Sequence, residues 1–312
     1  MYILKIIKPR GLKLGDTVGI IAPASPTPHE AINQSIAIFQ RFGYEVRLGK
    51  TVGQEFGYLS GSDWCRVQDI HDMFSDPEIT AIFCLRGGYG TPRILDLIDY
   101  DLIRENPKIF VGYSDITGLL TAIHQCTGLV TFHGPMIAEL ANKKDPPSWS
   151  TLFRHLTNPI TVEPYFSDTK DAYTIVPGIA EGEIVGGNLS LLVSTLGTPY
   201  EIDTEDKILF IEDVGEETYS VDRMLTQLRL AGKLESANGI VVTNMSEMIK
   251  NTNKPNFTIK QVLTDILHPL GIPCFYGLQI GHCQPNLTVP IGVQVQLDAT
   301  KRILAFLERG II

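Results

Sequence analysis

Short apolar runs alternate with amphipathic segments along the first half of the chain. Thr17–Ala22 is a continuous apolar run that stops at Pro23, a pattern typical of a buried parallel strand. Apolar side chains then recur at helical spacing from Glu30 to Phe42, and Glu45–Leu48 begins a second strand. This β-α-β order predicts an open α/β sheet in the N-terminal half.

The same alternation continues beyond residue 60. A helix is predicted over Ser62–Phe74 and a strand over Ile79–Leu85, which leads into the glycine-rich loop Arg86–Gly90. The apolar run Ile109–Val111 predicts another strand, followed by a tight turn and a helix from Ile116 to Cys126. These elements extend the predicted parallel sheet.

The character of the sequence changes between Asn142 and Glu181, where Pro, Asn, Asp and Lys cluster in stretches typical of loops. We therefore expect an N-terminal α/β domain over residues 1–165, a linker over 166–180 and a C-terminal domain over 181–312. The elements predicted in the last region are a strand ending in a turn at Gly186–Asn188, helices at 189–196, 222–231 and 260–267, strands at 207–211, 239–244 and 274–281, and an antiparallel hairpin of 293–298 with 302–307.

Composition and charge narrow the classes of function. With 44% apolar and 20% charged residues, the 312-residue chain has the composition of an ordinary globular protein and is long enough for two domains. A net charge of −9 argues against nonspecific nucleic-acid binding, which needs a basic surface. Neither a signal peptide nor an apolar span of about 20 residues is recognisable, so we expect a cytoplasmic protein that does not enter a membrane.

Cysteine and histidine spacing gives no sign of a metal centre. The five cysteines are odd in number and include no CxxC pair, so neither a disulfide framework nor a zinc ribbon is expected. An HExxH motif or comparable ligand set is also missing from the sequence. We therefore expect an enzyme or binding protein that uses no metal and no cofactor.

The turn after Ile109–Val111 carries the first candidate for chemistry, Ser114. A serine between a buried strand and a helix would expose its hydroxyl above the sheet, as in a nucleophile elbow. The match to G-x-S-x-G is imperfect, because Gly112 keeps the first glycine but Ile116 replaces the second. The alternative is a plain βα turn in which Ser114 caps the helix and Asp115 suits its first turn.

Two further candidates lie at predicted strand ends. Glu212 follows an apolar strand, and His282 follows Ile280 and Gly281, so the chain order is Ser…Glu…His, which is one recurrent order of a catalytic triad. The choice of residues stays open at this point. The competing side chains are those of Asp213, Glu216, Glu217 and His133.

The glycine-rich loop Arg86–Gly90 allows three interpretations. It lacks G-x-G-x-x-G and follows the third strand, so a phosphate-binding role is only weakly indicated. Its backbone N–H groups could instead join those after Ser114 in an oxyanion hole. The third interpretation is an ordinary βα turn.

Six stretches spanning nearly the whole chain, in the same order, resemble the LD-carboxypeptidase family of serine peptidases, which also contains the microcin C immunity peptidases. The stretches are LKLGDTVGIIAPASP, GYLSGSDWCRVQDIHDMFSDPEITAIFCLRGGYG, KIFVGYSDITGLL, GGNLSLLVSTLGTPYE, LFIEDVGEETYSVDRMLTQLRLAG and GHCQPNLTVPIG. The resemblance implies a Rossmann-like N-terminal domain with an open parallel sheet and a smaller, β-rich α+β C-terminal domain. It also implies a homodimer.

The site residues follow from the same resemblance. The family's nucleophile falls on Ser114, its acid on Glu212 and its base on His282, and its oxyanion donors fall on the backbone of Gly87 and Asp115. The family's own elbow lacks the second glycine. The implied reaction is removal of the terminal D-alanine from a murein tetrapeptide during cell-wall recycling.

Two residues are candidates for contacts with the substrate. The murein peptide carries several carboxylates, so Arg86 is a candidate partner, and Asn188 could either bind substrate or cap the following helix. An immunity peptidase that cleaves an aminoacyl or peptidyl nucleotide is the alternative within the family, and would need an aromatic platform such as Trp64 or Trp149. A non-catalytic two-domain binding protein is the alternative from another class, and an amidotransferase-like hydrolase would want cysteine in place of Ser114.

Overall fold

The computed structural model describes residues 5–142, 145–157, 163–167, 169–248 and 255–312. Two compact units are present. Unit 1 comprises Met1–Ile160 with Leu287–Gly292 and Arg309–Ile312, and unit 2 comprises Thr161–Asn286 with Val293–Glu308. The last part of the sequence, predicted to belong wholly to the C-terminal domain, therefore contributes two short segments to unit 1.

Regular elements follow one another throughout the described residues. The strands are β1 (Thr17–Ile21), β2 (Glu45–Leu48), β3 (Ile79–Cys84), β4 (Ile109–Gly112), β5 (Thr131–His133), β6 (Tyr165–Phe166), β7 (Tyr173–Val176), β8 (Ile179–Asn188), β9 (Ile208–Val214), β10 (Gly239–Ser246), β11 (Cys274–Tyr276), β12 (Val289–Ile291), β13 (Gln294–Asp298) and β14 (Ile303–Phe306). The α-helices are α1 (His29–Arg41), α2 (Asp63–Ser75), α3 (Tyr100–Glu105), α4 (Thr117–Thr127), α5 (Ile137–Asn142), α6 (Pro146–Thr157), α7 (Leu189–Ser194), α8 (Thr218–Leu230) and α9 (Ile259–Leu267). Short 3₁₀ helices span Thr91–Leu97, Ser114–Ile116 and His268–Leu270.

Unit 1 is built on a six-stranded sheet in the order β12-β5-β4-β3-β1-β2. β5, β4, β3, β1 and β2 pair in parallel, and β12 joins the edge antiparallel. Every residue of β3 is buried, as expected for a central strand covered on both faces. The predicted open parallel sheet of the N-terminal domain is thereby confirmed.

Local sequence signals explain where the helices of unit 1 begin and end. The Ser62 hydroxyl accepts a hydrogen bond of 3.3 Å from the Cys65 N–H and so caps α2. α4 ends at Gly128, which adopts the left-handed conformation with φ of 79° that glycine tolerates without strain. The helix predicted over Ser62–Phe74 is confirmed to within one residue at its start and end.

Unit 2 contains an eight-stranded sheet in the order β6-β14-β13-β8-β9-β10-β11-β7. The central strands β8 to β11 are parallel, and α7, α8 and α9 connect them, whereas the outer strands on both sides are antiparallel. The predicted hairpin near the C-terminus is confirmed as β13 and β14. None of the helices in the described ranges is long and apolar enough to cross a membrane.

The region between Asn142 and Glu181 was predicted as loop or linker, and this prediction is wrong for most of its described residues. It contains α6, β6 and β7. Pro146 and Pro147 open α6, where the missing N–H donors would have no partner in any case. The loop signals at Lys143–Lys144, Asn158–Pro159 and Asp168 lie outside the described residues.

The turn predicted at Gly186–Asn188 is also wrong, because β8 runs straight through it. Gly186 has a φ of 139°, and a Cβ there would lie 1.9 Å from the backbone oxygen of Phe210. The glycine therefore serves the close approach of β8 to β9 and does not reverse the chain.

Candidate active site

Ser114 is separated from the end of β4 by Tyr113 alone and is the first residue of the 3₁₀ turn that leads into α4. Its φ is +63°, a left-handed conformation that is strained for a residue with a side chain. Neither the 3₁₀ turn, whose N-cap is Tyr113, nor α4, whose N-cap is Ile116, has a side-chain cap. The alternative in which Ser114 caps the helix therefore finds no support. Backbone strain of this kind is concentrated at functional sites.

Ile116 explains how the elbow forms without a second glycine. A Cβ on Gly112 would lie 2.6 Å from Cγ2 of Ile116, so only glycine fits at position 112. The Ile116 side chain itself is fully buried. The tight turn therefore depends on the first glycine, and an apolar side chain fills the space beside it.

Gly87 lies against Ser114 and the backbone of Asp115. A Cβ on Gly87 would be 3.0 Å from Ser114 Cβ, 3.2 Å from Ser114 Oγ and 3.3 Å from the Asp115 nitrogen. This proximity arises because β3 and β4 are adjacent parallel strands whose following loops meet at one edge. Gly87, Ser114 and Asp115 are called the nucleophile half below.

Ser25, which was not singled out from the sequence, holds the glycine-rich loop. Its N–H donates to the carbonyl of Gly87 over 3.3 Å, and its hydroxyl accepts from the N–H of Tyr89 over 3.1 Å. These bonds fix the orientation of the Gly87–Gly88 peptide beside Ser114. The sequence feature that could have identified Ser25 is its position in the loop that follows β1, since loops at the ends of parallel strands often carry functional residues.

Thr91 holds Asp115 in a similar way. The Thr91 N–H donates to Asp115 Oδ2 over 2.9 Å, and the Thr91 hydroxyl donates to the Asp115 carbonyl. Burial raises the pKa of the Asp115 carboxyl, which is 1% exposed. Thr91 thus holds both the carboxylate and the backbone carbonyl of Asp115, the residue whose N–H an oxyanion hole would need.

Arg86 lies at the start of the glycine-rich loop with an exposed side chain. Its guanidinium donates to the backbone oxygen of Pro26 over 3.3 Å. Within the described residues it makes no ion pair. The charge therefore remains available at the surface of the loop that contains Gly87.

Glu212 and His282 form the second group of candidate residues. The Glu212 side chain is fully buried in β9, and its Oε2 lies 2.7 Å from His282 Nδ1. The backbone N–H of His282 donates to the same oxygen over 3.2 Å. A carboxylate at Nδ1 favours the tautomer that leaves the Nε2 lone pair for proton transfer.

Gly281 allows this contact. Its φ is 91°, and a Cβ there would lie 2.4 Å from Glu212 Oε2. Its N–H donates to Asn286 Oδ1 over 2.8 Å, which fixes the turn before His282. A side chain at this position would push the histidine backbone away from the carboxylate.

Asn188 lies opposite Glu212 in the parallel register of β8 and β9. Its amide donates to Glu212 Oε1 over 3.2 Å and to Asp213 Oδ1 over 3.0 Å, while its oxygen accepts from the N–H of Leu191 and caps α7. The predicted cap is present. The side chain is 4% exposed and positions Glu212. Asn188, Glu212 and His282 are called the acid–base half below.

The competing residues have other surroundings. Asp213 accepts from the N–H and hydroxyl of Ser190 over 3.0 and 2.8 Å, and burial raises the pKa of its carboxyl. His133 is fully buried in β5, with its ring centroid 5.7 Å from that of Tyr113. Sequence position could not separate Asp213 from Glu212, because the two are neighbours just after the predicted end of the strand, whereas β9 continues to Val214. Among the described residues no cluster of three or more His, Cys, Asp or Glu could hold a metal ion.

Comparison with known proteins identifies the family. Residues 18–134 match the LD-carboxypeptidase N-terminal domain, and residues 181–297 match the LD-carboxypeptidase C-terminal domain. The chain belongs to the LD-carboxypeptidase family. It is accordingly a serine-type carboxypeptidase, and the family resemblance inferred from the sequence is confirmed.

Individual relatives agree with this assignment. A probable murein peptide carboxypeptidase of Bacillus subtilis is 46% identical over 97% of this chain and 95% of the relative. The structure of a muramoyltetrapeptide carboxypeptidase from Oxalobacter formigenes has a TM-score of 0.83 and 29% identity, covering 92% of this chain and 97% of the other. A structure of MccF in complex with glutamyl sulfamoyl guanosine has a TM-score of 0.88 and 27% identity, covering 98% and 99%.

Proposed function

We propose that this carboxypeptidase removes the terminal D-alanine from murein tetrapeptides, with Ser114, His282 and Glu212 as its catalytic triad. The observation that carries the proposal is the 2.7 Å hydrogen bond between a fully buried Glu212 and Nδ1 of His282, because it prepares the other ring nitrogen as a base. The names of the Bacillus and Oxalobacter relatives support the murein substrate.

In the proposed mechanism Ser114 Oγ attacks the carbonyl between an L-centre and the terminal D-alanine, and His282 Nε2 accepts the serine proton. The backbone N–H groups of Gly87 and Asp115 stabilise the oxyanion. The imidazolium, stabilised by Glu212, then gives its proton to the leaving amine of D-alanine. A water molecule, deprotonated by His282, hydrolyses the acyl-enzyme and releases the tripeptide.

The proposal extends to the setting of the reaction. The family resemblance supports a homodimer that acts on small cell-wall peptides during murein recycling, and we place it in the cytoplasm, as expected from the sequence. A net charge of −9 favours a small-molecule substrate over nucleic acid. In the substrate complex, Arg86 is the proposed partner of a substrate carboxylate, since its charge has no described acidic neighbour.

The test is hydrolysis of purified murein tetrapeptide, followed by mass spectrometry, with wild type and Ser114→Ala side by side. Loss of one alanine by wild type alone would support both the reaction and the nucleophile. Cleavage by both proteins would refute the role of Ser114. Cleavage by neither, with turnover of a peptidyl nucleotide by wild type, would favour the second candidate function.

That second candidate is an immunity peptidase that cleaves an aminoacyl or peptidyl nucleotide. Similarity to the MccF structure with a nucleotide-like ligand favours it. Of the two possible aromatic platforms, Trp149 packs in α6 against Phe42 and Phe153, with ring centroids 5.7 and 5.8 Å away. Trp64 is 70% exposed on α2 and is the tryptophan whose replacement would test base stacking.

A further inference from the structure

A cavity of about 320 Å³ opens in unit 2 beside the histidine of the acid–base half. Its wall includes Asn244 near the end of β10, Tyr276 at the end of β11, and Cys283 and Gln284, which directly follow His282. Ligands of parallel sheets bind outside the carboxyl ends of the strands. The cavity therefore occupies the position expected of a substrate subsite.

Two hydrogen bonds connect the wall of the cavity to His282. The Asn244 amide donates to Ser246 Oγ over 2.8 Å, and the Ser246 hydroxyl donates to the backbone carbonyl of His282. A group bound in the cavity would consequently have a defined position relative to the histidine.

The part of the wall that contains Gly277 is also held in place. The hydroxyl of Ser167, which is buried, donates to the carbonyl of Gly277 over 2.7 Å, and Thr169 donates to the same oxygen over 3.4 Å. Gly277 has a φ of 111°, and a Cβ there would lie 2.8 Å from Ala172 Cα. This glycine lets the segment that carries Asp171 pack directly on the end of β11.

Asp171 is the one charged side chain that lines the cavity within the described part of the chain. None of the described hydrogen bonds or ion pairs involves its carboxylate. Burial raises the pKa of the Tyr276 phenol, and the nearby Asp171 carboxylate raises it further, so the phenol stays a neutral hydrogen-bonding group. Asn244 and Gln279 add uncharged amides. A cavity with one unpaired carboxylate and neutral polar walls favours a cationic guest.

We propose that this cavity is a subsite for the side-chain ammonium group of the substrate's diamino acid, with Asp171 as its counter-ion. The inference rests on the proposed function, because a murein tetrapeptide has its diamino acid next to the terminal D-alanine. Asp171 is then a specificity-determining residue, and the side-chain oxygens of Asn244 and Gln279 accept the remaining hydrogen bonds that the ammonium group donates.

The experiment compares two tetrapeptides that differ in one group: L-lysine before the terminal D-alanine, and its Nε-acetylated form. For wild type we expect kcat/KM to be about tenfold higher with the free ammonium, mainly through KM, the size of effect typical of a partly solvated charge pair. Asp171→Asn should lose this preference. Asp265→Asn on α9 is the control and should keep it.

Equal rates on both peptides for wild type, or an unchanged preference in Asp171→Asn, would overturn the subsite while leaving the proposed function intact. Cleavage of neither peptide would refute the proposed function. In that case a peptide-binding experiment tests the subsite by itself. For this the two tripeptides that lack D-alanine are titrated by calorimetry into Ser114→Ala and into Ser114→Ala with Asp171→Asn. A preference for the free ammonium in the first protein alone supports the subsite, and equal or undetectable binding overturns it.

Discussion

The nucleophile half and the acid–base half are held by different kinds of interaction. Ser114 is positioned by the backbone: a left-handed φ, a Gly112 that only glycine can occupy, and a glycine loop packed against its hydroxyl. His282 is positioned by side chains, through the buried Glu212 and the Asn188 amide. Ser114 therefore depends mainly on close backbone packing, and His282 mainly on a chain of polar side chains. A methyl group added at Gly87 should harm the first, and a changed polar atom at Glu212 should harm the second.

Glu212→Gln is expected to have the largest effect. The amide keeps the volume of the carboxylate but favours the wrong histidine tautomer and no longer balances an imidazolium, so kcat for D-alanine release should fall about 10³- to 10⁴-fold. KM should change little. Glu216→Gln, in the loop that joins β9 to α8, is the control. A loss below tenfold in Glu212→Gln would show that this carboxylate does not act on the base.

Gly87→Ala tests the nucleophile half by shape alone. The added methyl would lie 3.0 Å from Ser114 Cβ and 3.3 Å from the Asp115 nitrogen, so we expect kcat to fall ~100-fold through loss of oxyanion stabilisation. Gly57→Ala is the control, because its Cβ would meet nothing within 4 Å while its φ of 62° still penalises alanine. The control should lose about 1 kcal/mol of unfolding free energy and no activity. Equal kinetics for both variants would contradict a close role for Gly87.

Thr91→Val should have a smaller effect on the same half. It removes the hydroxyl that donates to the Asp115 carbonyl but keeps the backbone N–H that binds the Asp115 carboxylate, so we expect roughly a tenfold loss in kcat with little change in KM. Thr127→Val removes another buried hydroxyl, one that donates to the Ile123 carbonyl in α4 over 2.6 Å. Both variants should lose stability in urea unfolding. Only Thr91→Val should lose activity, and an equal loss in both would argue against a role of Thr91 in holding Asp115.

His155, outside both halves, should affect stability alone. Burial lowers the pKa of His155 to about 3, against an unfolded value near 6.5, so between these values the unfolded chain binds a proton that the folded chain does not. The free energy of unfolding should therefore fall as pH drops below 6.5, by about 2 kcal/mol at pH 5 from this residue. Urea unfolding at pH 7 and pH 5 measures the difference. In His155→Gln the pH dependence should be weaker by that amount, and an unchanged pH dependence would contradict the linkage.

Parallel strands and their connecting helices could be predicted from the sequence because burial on two faces leaves a continuous apolar run. β1 and β3 illustrate this, since each was predicted to within one residue at either end, and β9 starts within one residue of its predicted start but continues three residues beyond its predicted end. The outer strands β6 and β7 were missed, because short edge strands need little apolar surface and carry loop-like residues. The glycines of β8 were misassigned for a related reason: a glycine needed for close strand packing looks the same in sequence as one needed for a turn.

For the candidate site, the sequence indicated which types of residue to expect but not the contacts between them. The sequence by itself determined that a serine, a carboxylate and a histidine follow apolar runs in an order known from triads, and that the chain resembles a peptidase family. The family resemblance implied Glu212 and His282 as acid and base, and only the tertiary structure shows the hydrogen bond that joins them, because this bond depends on strand register and on the positive φ of Gly281. It also revealed Ser25, Thr91 and the Asp171 cavity. Their contacts join residues more than 20 positions apart, and such long-range proximity leaves no periodic trace in a single sequence.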